Sequence, residues 1–288
     1  MVRDARRGKG ALLRARAHPR RCVPADRWLA APDRGGGMSG VRAAWALGGR
    51  EVCRLTRQPL RIAVAIATPA MMWVFIASGF AGAIRPGALE GETSLSLYLL
   101  PGMASLVVLF NAIFASISLI EDRHEGFLQA VLVSPAPRWS MAAGKLVGGG
   151  LLGFLQALAL LALSPFVGAE LSVVGVLAAA GALACLSLGI TGLGLAAAWK
   201  VDSAAGFHGV MNLVLMPMWL LSGAIFPVDG ASGWLRALVM VNPLAWCQRA
   251  VGAGLGGTID VLALGLSGVF GLAGIALALS VIGLGKGR

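Results

Sequence analysis

The strongest constraint on this chain is a series of long runs that contain no Asp, Glu, Lys or Arg. They cover residues 62–84, 93–120, 146–169, 171–199, 210–228 and 261–284. A helix needs about 20 apolar residues to cross the hydrocarbon of a bilayer. All six runs meet that length, the fifth most narrowly. Only 13% of the 288 residues are charged and 57% are hydrophobic, whereas ordinary soluble domains carry about 25% charged residues. The expected fold class is therefore an all-α membrane protein with six transmembrane helices. A net charge of +11 would point to nucleic acid in a soluble chain. Here fifteen of the 24 Lys and Arg residues precede Ile62, and no basic stripe recurs between the runs, so nucleic acid is not an expected partner.

Residues 1–39 mix Arg, Ala, Gly and Pro without an apolar period, and they lack the hydrophobic core of a secretory signal. The expectation is a basic, disordered tail, or translated sequence upstream of a true start at Met38. From Val41 a helical pattern begins. Val41, Trp45, Gly48, Val52 and Leu55 share one face, while Arg50, Arg54, Arg57 and Arg61 share another. A basic face beside a Trp-bearing apolar face predicts a helix lying in the membrane interface. Gln58-Pro59 ends it, because the residue before proline is driven out of the α region. With a cytoplasmic N-terminus, every Lys and Arg except Arg85, Arg236 and Arg249 falls on the cytoplasmic side, the bias expected of inside loops. Both termini and residues 121–145 are then cytoplasmic. Between the fifth and sixth runs, the apolar piece 237–248 is too short to cross and predicts a re-entrant or interfacial segment.

Motifs for chemistry fail one by one. A phosphate-binding loop needs GxxxxGK[ST], but at Gly144-Lys145 the first glycine is replaced by Trp139 and Leu146 follows the lysine. His124-Glu125 opens a zinc-protease pattern whose second histidine position holds Leu128. Cys22, Cys53, Cys185 and Cys247 have no metal spacing. No catalytic, cofactor-binding or metal-binding residue is expected, and the chain is read as a non-enzyme. Asn111 and Gln156, inside the runs, are expected to bond across helices. His208 and Asp260 lie near run ends, where water reaches them. Gly148, Gly149, Gly150 and Gly153, with Gly181, Gly189, Gly192 and Gly194, predict close helix approach.

The one long polar interior segment is 121–145. Glu121, Glu125 and Gln129 stand at i, i+4 and i+8, and Leu128, Val131 and Leu132 form another face beside Phe127. Ser134 before Pro135 is a good N-cap with proline at the first helical position. The pattern predicts a short amphipathic helix from Glu121, a break at Ser134, and a new helix through Arg138 into the third run.

Glu121, Glu125, Gly126, Leu128, Leu132, Val133, Ser134 and Pro135, followed by Arg138 and Gly144-Lys145, resemble the permease subunit of type-2 ABC exporters. A second block matches too: Pro217, Ser222-Gly223, Phe226-Pro227, Trp234-Leu235, Asn242-Pro243-Leu244 and Arg249. A weaker third block is Arg57-Gln58-Pro59 with Pro69. The resemblance covers about residues 40–288 and implies a six-helix permease domain over that range. It implies a cytoplasmic coupling helix bearing Glu121, Glu125, Gly126, Leu128, Gln129, Leu132, Ser134 and Pro135, which docks on a separate ABC ATPase subunit holding ATP and Mg. It also implies an external hairpin carrying Pro227, Trp234, Asn242 and Pro243. A second permease copy, identical or paralogous, a bacterial inner-membrane location and an exported drug, lipid or lipid-linked glycan complete the implication. Phe127 and Gln129 stand where small hydroxyl and acidic residues are usual. Composition alone also admits an ion-coupled secondary transporter or a membrane scaffold or sensor.

Overall fold

Serine, proline and glycine set where the helices of this protein start and stop. The computed structural model describes residues 40–80, 94–132, 137–225 and 232–283, and every regular element among them is a helix. α1 (Gly40–Thr56) stops before Gln58, and α2 (Pro59–Gly79) starts on the proline that follows it. α3 (Leu95–His124) is capped by Ser94, whose hydroxyl accepts from the Leu97 N–H at 3.2 Å. α4 (Phe127–Leu132) is short, and α5 (Arg138–Leu161) runs on into a 3-10 turn at Ser164–Val167. α6 (Val173–Ala198) and α7 (Ala204–Leu220) begin on serine caps, Ser172 and Ser203. α8 (Gly233–Met240), α9 (Pro243–Leu255) and α10 (Val261–Gly283) complete the described residues. Each cap satisfies one of the amide groups that a helix start leaves without a partner.

Hydrogen bonds between helix ends fix the topology. At one end Ser94 donates to the Val167 carbonyl (3.1 Å), Tyr98 to that of Gly223 (2.8 Å) and Ser172 to that of Gly257 (3.2 Å). At the other end the start of α2, the end of α3, the start of α5 and the end of α6 meet through charged side chains. Successive long helices therefore run up and down. α3 is the central post, walled by α2, α5, α6, α7 and α9. α2 and α10 keep most of their apolar surface outward, including Met71, Phe75, Val269 and Leu272. α6 crosses α10 so closely that a Cβ on Gly192 would strike the Gly274 backbone, which only paired glycines permit.

Among the described residues, five helices are long and apolar enough to cross a membrane: α2, α3, α5 with its 3-10 turn, α6 and α10. The chain is a multi-pass membrane protein. The sixth crossing, expected over 210–228, corresponds to α7, which has 17 residues. At about 1.5 Å per residue it reaches about 25 Å, short of the ~30 Å hydrocarbon core. Its helix ends at Leu220, just before Gly223 at φ 85°, and residues 226–228 lie outside the described residues. The segment expected to be re-entrant or interfacial, 237–248, is divided between two helices. Asn242 is held extended ahead of Pro243, so α8 stops and α9 begins there. None of the residues of α8 is buried, whereas α9 packs on α6 and α3 and buries Leu244, Cys247, Gln248 and Val251. The tail expected over 1–39 lies outside the described residues.

Candidate functional site

The polar segment singled out by sequence folds differently from a single amphipathic helix. Glu121 belongs to the last turn of α3, and Glu125 caps it. Gly126 then adopts φ 76°, a left-handed conformation that costs other residues about 1–2 kcal/mol. That turn breaks the expected Glu121–Glu125–Gln129 stack and sets α4 off as a separate helix of six residues, Phe127–Leu132. Leu128 and Val131 are buried against the spans, as their pattern predicted, while Gln129 faces outward. Leu132 ends α4; Ser134 and Pro135 lie outside the described residues, and α5 begins at Arg138. On the far end, Trp234 is exposed on α8. Asn242 donates to the Met218 carbonyl (2.6 Å) and caps α9 at the Leu244 N–H (3.0 Å), with Pro243 opening that helix. Pro227 lies outside the described residues.

Beside α4 stands a charge network that the sequence pattern did not announce. Lys145 of α5 is buried and holds the Asp122 carboxylate at 2.6 Å, Glu51 of α1 at 3.0 Å and the Ser118 hydroxyl at 3.0 Å. Ser118 itself donates to Glu51. Arg54 of α1 forms a short ion pair with Asp122, reaches Glu121 at 2.9 Å and stands 3.9 Å from Glu125. Arg61 of α2 closes on the other oxygen of Glu121 at 2.8 Å. Arg50 lies 3.3 Å from Asp122 and 3.6 Å above the Phe127 ring, so it links α1 to both α3 and α4. Burial alone would lower the pKa of Arg54; Asp122, Glu51, Glu121 and Glu125 outweigh it and hold the guanidinium above its usual range.

Three consequences follow. The Glu121 carboxylate, 28% exposed, is engaged by two arginines of its own chain, whereas Glu125 is 64% exposed and stands 3.9 Å from Arg54. The arginines expected on an interfacial face include Arg50 and Arg54, which turn toward the end of α3. The apolar face of α1 also divides: Gly48 and Leu55 go inward with Leu47 and Glu51, while Val41 and Trp45 remain exposed. Gly144 and Gly148 of α5 let α1 approach this closely, since a Cβ on either would meet Leu47, Gly48 or Glu51 within 3.0 Å. The spacing of Glu51, Asp122 and Lys145 carried no signal, because their sequence separations of 23 to 94 are closed only by the helix packing. A charged residue inside an apolar surrounding was the available hint. On the adjoining corner, Arg123 donates to the Trp199 carbonyl (2.8 Å) and pairs with Asp202 (2.8 Å), tying the α6–α7 loop to the same end of α3.

An up-and-down array of apolar helices, with a short helix set off from the central post beside a buried ion cluster, defines a polytopic membrane domain. The family model described as ABC-2 type transporter matches residues 42–255, and the chain belongs to that family. Among curated relatives, the protein named "Probable multidrug ABC transporter permease YbhR" of Escherichia coli (strain K12) is 29% identical over 160 residues. That match covers 51% of this chain and 40% of the relative, so the chain spans less than half the length of that protein. The protein named "Putative transport permease ycf38" of Cyanophora paradoxa is 24% identical over 209 residues, 72% of this chain and 71% of the relative.

Proposed function

We propose that this chain is the membrane-spanning permease subunit of an ABC exporter. Transport is driven by ATP hydrolysed, with Mg, on a separate cytoplasmic ATPase subunit. The observation that carries this reading is α4. It is detached from α3 by Gly126, seated on the spans through Leu128 and Val131, and tied to α1 through Arg50 and Phe127. Gln129 and the exposed Glu125 are the groups left for the ATPase, while Glu121 organises the arginines behind them. Both termini and this end of the bundle then face the cytoplasm, and α7 with the residues after it makes the sixth crossing. The exposed Val41 and Trp45 of α1 rest in the bilayer interface, α8 and α9 form the external hairpin, and the protein sits in a bacterial inner membrane. Two permease halves, identical or paralogous, complete the transporter. The substrate is an amphiphile: a drug, a lipid or a lipid-linked glycan.

The test is purification from native membranes in mild detergent, with mass spectrometry of what remains bound. A stoichiometric protein bearing a Walker A loop is the expected companion. Glu125→Lys should release it while the thermal midpoint of the permease stays unchanged. Transport by reconstituted permease alone, without ATP, would overturn the reading.

A further inference from the structure

Asn111 and Gln156 are both polar groups inside membrane-spanning helices, and the structure treats them differently. Asn111 of α3 donates to the Gly149 carbonyl of α5 at 2.7 Å. Ser187 of α6 donates to the next carbonyl, Gly150, at 2.7 Å. Both carbonyls lie inside α5, where the helix ladder already uses them, so either bond can be exchanged for another donor at small cost. Gln156 is 5% exposed and neither its amide nitrogen nor its amide oxygen has a partner. Thr191, fully buried on α6, likewise has an unpartnered hydroxyl. In hydrocarbon an unpaired polar group costs several kcal/mol, so two of them in one seam require an explanation.

Their places along the seam supply one. On α5, Gly149 lies against Ala115 and Thr191, and Gly153 against Asn111 and Ser187. Gln156 comes three residues after Gly153 and seven after Gly149, which returns it to the same helical face. The two unpartnered groups thus bracket the Asn111 and Ser187 bonds, over about 10 Å of helix at 1.5 Å per residue. The α5 side of this stretch is glycine, so α5 presents backbone rather than side chains that would hold the neighbours in one register. We infer that the seam between α3, α5 and α6 is a polar site that opens to water. Gln156 and Thr191 line it, and its ligand chemistry is that of small hydrogen-bonding groups. The polar groups of Asn111 and Ser187 exchange their carbonyl partners for those ligands as α5 draws away. This site is distinct from the α4 contact, and its test needs neither the ATPase nor the transported molecule.

The experiment is cysteine accessibility in intact membranes, in the full chain whose own Cys22, Cys53, Cys185 and Cys247 are alanine. Gln156→Cys and, as a near-isosteric second probe, Thr191→Cys are treated with 2-aminoethyl methanethiosulfonate, a water-soluble thiol reagent. The controls are Val107→Cys on α3 and Leu183→Cys on α6, both fully buried. The site predicts that both seam cysteines react at least tenfold faster than the controls, and that Asn111→Leu slows them. Seam cysteines that react no faster than the controls overturn it. If Gln156→Cys does not accumulate in the membrane, Thr191→Cys decides alone.

Discussion

Lys145 is the residue whose removal most directly tests the ion cluster. Lys145→Met keeps the length and the packing of the stem but leaves Glu51 and Asp122, both buried, without their shared cation. Removing one partner of a buried pair costs about 3–5 kcal/mol, chiefly because the other charge is stranded. Asp122 keeps Arg54 and Arg50, so the loss falls on Glu51, which retains the Ser118 hydroxyl and the field of Arg54. The lower end, about 3 kcal/mol, is therefore expected. At about 2–4 °C per kcal/mol for chains of comparable size, the detergent-solubilised midpoint should fall by about 6–12 °C. Differential scanning fluorimetry reads this directly. The companion is Glu51→Gln combined with Lys145→Met, which removes the stranded charge together with its partner. The double variant should recover about 1–3 kcal/mol relative to the sum of the singles, as neighbours in one network do. A Lys145→Met midpoint within about 2 °C of the parent, smaller than a 1 kcal/mol loss produces, would refute the argument that this cluster holds α1, α3 and α5 together.

Two further substitutions probe the backbone. Gly126→Ala should cost about 1–2 kcal/mol through its left-handed φ, and Gly126→Asn less, because asparagine tolerates that region better than other side chains; thermal midpoints of the two variants check the order. Gly153→Val would push a Cβ to 2.8 Å from Asn111 Nδ2 and 3.0 Å from Ser187 Oγ, an overpacking worth about 1–3 kcal/mol. Gly268→Val, with nothing within 4 Å of the new atom, should stay within about 0.5 kcal/mol, so the pair of midpoints separates steric loss from helix propensity.

Length and hydropathy were enough to place α2, α3, α5, α6 and α10, because a span is a property of composition over about 20 residues. Gln58-Pro59 marked a real helix boundary through the exclusion of α geometry before proline, and the same local rule accounts for the break at Asn242-Pro243. What periodicity misread was the stretch around Gly126. A regular i, i+4, i+8 row of two acids and an amide is compatible with a helix, and nothing in that row reports that the glycine inside it will take a positive φ. The orientation of α1 was likewise beyond a helical wheel. Leu47, Glu51 and Leu55 face inward because Gly144 and Gly148 admit them and Lys145 meets Glu51, which are tertiary facts. Gln156 and Asn111 looked equivalent in sequence; only the packing of α5 separates a bonded amide from an unbonded one.

The charge network also changes what α1 can be for. A basic helix face in the interface would be held by phospholipid headgroups, and its hold would weaken with salt. Arg50 and Arg54 are instead occupied by Asp122 and Glu121, and Arg61 at the start of α2 by Glu121. The groups α1 turns outward include Val41 and Trp45, with Arg42 beside them. In this arrangement Arg50 of α1 lies over Phe127 of α4, and Lys145 of α5 holds Glu51 of α1 and Asp122 of α3. The first helix is thereby bound into the bundle by ion pairs rather than resting beside it as a float.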